Sequence, residues 1–164
     1  MEVASILGYV FTGNVLAAFG VAVGVGLAGL GAAKGLGISG ATASALTAEQ
    51  EKNFVKILAL ESLPQTQVIY AFVIGVIIMF FGIMGGGMTV EKGLISLAAG
   101  VCVGLTGLTA VYQGMAASAA VAAYGRNNSI QARVIIYVVM CELSALLGFV
   151  TALFLLIAGE ILVF

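Results

Sequence analysis

Glu142 is a lone carboxylate inside an apolar run, VVMCELSALLGFV, residues 138 to 150. An ionised carboxylate in hydrocarbon is unfavourable by at least a few kcal/mol, so in such a run it is protonated or held by a partner. Leu63, Thr66, Gln67 and Tyr70 recur at i, i+3, i+4 and i+7, which on a helix aligns a hydroxyl, an amide and a phenol on one face. Gln113 adds a second amide from another apolar segment. Carboxylate, amide and hydroxyl oxygens are hard donors, suited to alkali or hard divalent cations and wrong for soft metals. One negative charge matches one positive one. Na⁺ would be neutralised by Glu142 and coordinated by the neutral oxygens of Thr66, Gln67 and Gln113, whereas a divalent ion would leave the buried site charged. A proton needs only the carboxyl group and one acceptor. Tyr70 fits better as a donor that locks the carboxylate than as a ligand. Taken singly, Thr66 bonding back to its own helix, the glutamines joining helices and Tyr70 packing are all ordinary readings. Their shared depth is what favours a cation site.

The elements that carry these residues are apolar helices. The chain has 164 residues, of which 62% are hydrophobic and 8% charged, with no His and no Trp. That balance excludes an ordinary soluble domain, a nucleic-acid surface and a His-bearing metal or catalytic centre. Cys102 and Cys141 lie in apolar segments without a CxxC pairing, which predicts buried free thiols. MEVASILGYV at the N-terminus has no basic region, which predicts a retained helix instead of a cleaved signal.

Four stretches, approximately residues 10–33, 63–84, 94–115 and 134–158, are each long enough to cross a hydrocarbon core of about 20 helical residues. The first three are divided by TAEQ, Thr47 to Gln50, read as a capping box, and by GGGMT, Gly85 to Thr89; GRNNS, Gly125 to Ser129, precedes the fourth. Polar but helix-compatible residues such as Lys52, Lys56 and Arg133 predict that helix continues beyond the lipid at the first and third joints. Lys52 and Lys56 follow the first span and Arg126 and Arg133 the third, so both termini are expected on the outer side. Lys34 then snorkels toward the inner interface. Glu61 lies toward that side too, placed either to pair with Lys34 or to reach water separately. Pro64 removes a helical donor, frees the carbonyl of Leu60 and bends the second span.

The chain reads as a duplication. GVGLAGLGAAKG, from Gly24, resembles VGLTGLTAVYQG, from Val103, and YAFVIGVI, from Tyr70, resembles LGFVTALF, from Leu147. These alignments pair Lys34 with Gln113 and Phe72 with Phe149, and their offsets differ by two residues. The expectation is two tandem hairpins in the same membrane orientation, residues 1–84 and 90–164 of a single membrane domain. Gln65 corresponds to Glu142, so one hairpin carries the acid and its twin does not. Gly20, Gly24, Gly31 and Gly35 stripe the first span, and Gly93, Gly100, Gly107 and Gly114 the third. Such stripes suit packing within one bundle, and equally a closed ring with slim helices inside and bulky ones outside.

LPQTQVIYAF, GMAASAA after YQ, and CELSALLGFV together resemble the membrane rotor proteolipid of V-type ATPases, the duplicated four-helix K-type proteolipid of bacterial Na⁺-transporting enzymes. The resemblance covers nearly the whole chain, and its most specific element is LPxTQxxY on the second helix with the glutamine on the third and the glutamate on the fourth. It implies an all-α membrane protein assembling into a homo-oligomeric ring in a bacterial cell membrane, rotating against a stator subunit and joined to central-stalk subunits. It also implies a Na⁺ site made by Glu142, Thr66, Gln67, Gln113 and the backbone carbonyl of Leu63, with Tyr70 bonding the glutamate. The proline argument frees the carbonyl of Leu60; the carbonyl of Leu63 comes from the resemblance. The chain has no phosphate-cradling GxxxxGK[ST] loop, so ATP hydrolysis is expected elsewhere in the complex. Two other readings share these residues: a proton-translocating ring of the same architecture, and a small four-span cation exporter working as a dimer.

Overall fold

The computed structural model describes residue 8, residues 11–50 and residues 53–162. The N-terminal retained helix, the first residue of the first expected span and Lys52 lie outside the described residues. Four helical rods run through the molecule. The first is α1, Gly13–Glu49. The second, Phe54–Ile83, consists of α2, Phe54–Glu61, a 3₁₀ turn over Leu63–Gln65, α3, Thr66–Ile77, and a π-helical turn over Ile78–Ile83. The third, Val90–Arg126, is α4, Val90–Gly107, followed by α5, Ala110–Arg126. The fourth is α6, Gln131–Met140, and α7, Leu143–Ala158, bent by 44° at the break between them. In hydrocarbon a backbone must satisfy its own polar groups, and a helix does so within one segment. That is why so glycine-rich a chain remains helical.

The 37 residues of α1 span about 55 Å at 1.5 Å per residue, well beyond a hydrocarbon core of about 30 Å. Helix therefore continues past the apolar stretch, as it does at the end of α5. The TAEQ segment is not a capping box. Thr47 sits inside α1 and donates from Oγ1 to the carbonyl of Ala43 at 2.7 Å, so the chain leaves the helix only at Gln50. The other two joints are breaks as expected: Asn127 ends α5 and accepts from Ser129 N at 3.0 Å, and Thr89 caps α4 by accepting from Lys92 N. At the far end Lys92 donates to the carbonyl of Glu160 at 2.9 Å, tying the third rod to the fourth. At the opposite end buried Tyr124 donates to Asn53 Oδ1 at 3.0 Å, and Gln50 Nε2 to the carbonyl of Gly125 at 2.8 Å.

The glycine stripes of the first and third rods face each other. A Cβ built at Gly24 would lie 2.8 Å from the carbonyl oxygen of Gly100, and one at Gly31 would lie 2.7 Å from that of Gly107. Gly93 sits against Gly13, Gly100 against Gly20 and Gly114 against Gly35, so the two helices run parallel with their repeats at matching depth. Cys102 and Cys141 are both free, and each is half-buried in the chain instead of buried. Gly24→Val should overpack this contact and destabilise the chain by about 1–3 kcal/mol. The measurement is thermal unfolding in detergent; an unchanged midpoint would mean that the two backbones do not touch.

Candidate functional site

Each site residue is delivered by an irregularity in its helix. Pro64 cannot donate, and the chain tightens there into the 3₁₀ turn of Leu63–Gln65 before α3 begins. The turn leaves the carbonyl of Leu63 accepting from both the amide and the hydroxyl of Thr66, the latter at 3.0 Å. Thr66 thus makes the local back-bond that is ordinary for threonine, and it makes that bond to the residue before proline. Gln65 is exposed, Thr66 half-buried and Gln67 fully buried, so the i, i+3, i+4 and i+7 face turns inward. Gln113 stands on α5, one turn after the break at Leu108 and Thr109. Glu142 occupies the joint between α6 and α7, with its amide donating to the carbonyl of Val139 at 2.9 Å.

Two hydrogen-bonded pairs emerge from the set. Tyr70 donates its phenol to Glu142 Oε1, and the Tyr70 ring lies against Phe149 with centroids 5.4 Å apart. Gln67 Nε2 donates to Gln113 Oε1 at 3.0 Å, and Gln113 Nε2 donates to the carbonyl of Val138 at 3.3 Å. Both glutamines are 0% exposed. Glu142 opens on a shallow groove with Tyr70, Val139, Met140, Leu143 and Leu146. The second rod therefore joins the third through its amide and the fourth through its phenol.

Gln67 Oε1 is buried and has no hydrogen-bond partner. An orphaned acceptor of this kind is unfavourable by about 1–3 kcal/mol. It is also an electron pair ready for a donor or a cation. Among the described residues no cluster of three or more His, Cys, Asp or Glu side chains occurs, so the donor set is one carboxylate among neutral oxygens. Chemically it suits a monovalent hard cation held mainly by neutral oxygens. Sequence reasoning missed two members: the carbonyl of Val138, one helical turn before Glu142, and Phe149, seven residues after it. The position of Phe149 on the face of Glu142 was an available signal; the carbonyl of Val138 had none. Glu61 and Lys34 form no ion pair with each other in the described structure; the salt bridge found there joins Lys92 and Glu160, at 4.0 Å.

Comparison with known proteins agrees with the duplication. The model of the ATP synthase C-subunit family matches twice, over residues 19–78 and 97–155. The A-type ATP synthase subunit K of Methanocaldococcus jannaschii is 37% identical over 143 residues, covering 87% of this chain and 62% of that protein. The V-type sodium ATPase subunit K of Enterococcus hirae is 35% identical over 147 residues, covering 89% of this chain and 86% of that one. The chain thus spans less than two thirds of the archaeal relative and most of the bacterial one.

Proposed function

The chain belongs to the ATP synthase C-subunit family, and from that premise we propose that it forms the rotor ring of a Na⁺-translocating rotary ATPase. One Na⁺ binds per chain, neutralised by Glu142 and coordinated by Thr66, Gln67, Gln113 and the carbonyl of Leu63, while Tyr70 steadies the carboxylate. The observation that carries this reading is the unpartnered, buried Oε1 of Gln67. A proton on Glu142 would need one acceptor, and Tyr70 already approaches that carboxylate as a donor. A cation of hard character needs several oxygens, and the glutamine pair offers them.

The mechanism is electrostatic. A protomer whose Glu142 is neutralised by its ion tolerates lipid, whereas an ionised, empty one does not. A stator carrying a compensating positive group lets the ion leave and another enter from the opposite side. Rotation driven by ATP hydrolysis in other subunits then becomes transport. Residues 90–164 form the hairpin that carries the transported charge, and residues 1–84 its counterpart without a transport carboxylate. The basic residues Lys56, Arg126 and Arg133 favour an inner location for the α1–α2 and α5–α6 joints, with both termini outside.

The test separates Na⁺ from H⁺. A hydrophobic carbodiimide reacts with the protonated carboxyl of Glu142, so at one fixed pH above neutrality millimolar Na⁺ should slow labelling severalfold and K⁺ should not. Labelling that ignores Na⁺ would assign the ring to protons.

A further inference from the structure

We propose that neighbouring copies meet through a degenerate twin of the ion site, in which the ammonium of Lys34 takes the place of the transported cation. The proposal rests on ring assembly and concerns a place the ion does not visit.

The repeat predicts where that twin must lie. Within one chain, the flank of the fourth rod bearing Glu142 and Phe149 meets the flank of the second rod bearing Thr66, Gln67 and Tyr70. Their counterparts are Gln65 and Phe72 on the second rod, and Leu143, Ser144 and Leu147 on the fourth. If outer rods alternate around a ring, the free flank of each second rod faces the free flank of the next copy's fourth rod. Every one of these counterparts is exposed in the single chain, Phe72 at 59% and Leu147 at 60%. Phe72 and Leu147 would then reproduce between copies the contact that Phe149 makes with Tyr70 inside one.

The polar members fit the same pattern. Gln113 corresponds to Lys34, and the Val138 carbonyl that receives Gln113 corresponds to the carbonyl of Glu61. The depth agrees: a Cβ at Gly35, next to Lys34, would lie 3.0 Å from Cβ of Pro64, next to Gln65. Lys34 is exposed and makes no hydrogen bond or ion pair among the described residues. A lysine at this position needs oxygen acceptors once it is covered. The Glu61 carbonyl, already receiving Ser39 Oγ at 3.0 Å, Oε1 of Gln65 and the neighbour's Ser144 hydroxyl provide them. The Glu61 carboxylate, one turn before Gln65, compensates the charge. Where the true site holds a mobile cation directly against a fixed acid, the twin holds a tethered cation among neutral oxygens, with the compensating carboxylate of Glu61 one turn away.

Two measurements on the full-length assembly test this. With Cys102 and Cys141 replaced by Ser, Gln65→Cys and Ser144→Cys are combined and treated with a short bifunctional maleimide. Because the two positions lie on opposite flanks of a chain, the expected product on denaturing gels is a ladder of linked chains. A single-chain band from particles of intact native mass would overturn the twin site and leave ring assembly standing. Loss of the large mass in the unmodified wild-type assembly would overturn both. Second, Lys34→Met, of similar length without the charge, should lower the fraction of assembly surviving mild denaturing detergent severalfold, and Lys34→Arg should restore it. A Lys34→Met assembly as durable as wild type would refute the role given to the ammonium.

Discussion

Replacing Glu142 by Gln should abolish saturable Na⁺ binding while leaving the assembly intact. The substitution keeps size and hydrogen-bonding capacity and removes only the charge. A cation leaving water for this depth must be neutralised, since an uncompensated charge there is unfavourable by at least about 2.5–3.5 kcal/mol. That penalty alone weakens binding by a factor of roughly a hundred or more. The loss of attraction at a few ångströms in a low-dielectric setting adds further to it. Isotopic Na⁺ filtration on the purified assembly should find close to one ion per chain in the wild type and none in the variant, at matched native mass. Retention of one ion per chain by Glu142→Gln would end the site assignment. The variant also loses the partner of the Tyr70 phenol as it now stands, but an amide oxygen still accepts, so the local packing survives.

Gln67→Leu comes next in size. Leucine fills nearly the same volume and removes both the orphaned acceptor and the donor that reaches Gln113. Two opposing effects follow in the ion-free protein. Losing the Gln67 donor leaves Gln113 Oε1 buried without a partner, which destabilises by about 1–3 kcal/mol, and removing the orphaned Oε1 of Gln67 restores about the same amount. Ion-free stability should therefore change little. Na⁺ affinity should instead fall by about 10- to 100-fold, as expected for one lost buried polar contact. The diagnostic is that divergence, read as a thermal midpoint without Na⁺ beside a Na⁺ titration of the same variant. An affinity within about twofold of wild type would show that Oε1 takes no part in binding.

Much of this arrangement was legible in the residues. Four rods, three joints and the inward face of Leu63, Thr66, Gln67 and Tyr70 all follow from hydropathy and helical spacing. The duplication was legible in the likeness of GVGLAGLGAAKG to VGLTGLTAVYQG, and in the fold Gly93, Gly100 and Gly114 stand opposite Gly13, Gly20 and Gly35. The phenol–carboxylate pair was legible in the reading of Tyr70 as a donor to Glu142; that Gln67 bonds to Gln113 was not, since helical spacing fixes a face but not which of several facing groups bonds to which. The acceptor at Val138 escaped because backbone carbonyls carry no sequence signal. The extension of α1 through TAEQ escaped for another reason: Thr, Ala, Glu and Gln suit a helix interior as readily as its start, and Thr47 resolved the choice by bonding backward to Ala43. The joints at Leu108–Thr109 and Cys141–Glu142 contain neither Gly nor Pro, so no punctuation announced them.

The close approach of α1 to the third rod also sets proportions. Each chain presents two slim, backbone-to-backbone cylinders on one side and two broader ones, carrying Phe72, Phe154 and their neighbours, on the other. In a ring such a body would act as a wedge, and the angle of a wedge dictates how many complete a circle. With one ion bound per chain, as proposed, that count would be the number of ions moved in a revolution. On that proposal the column of glycines, which makes no contact with the ion, would set the transmission ratio between torque and ion gradient.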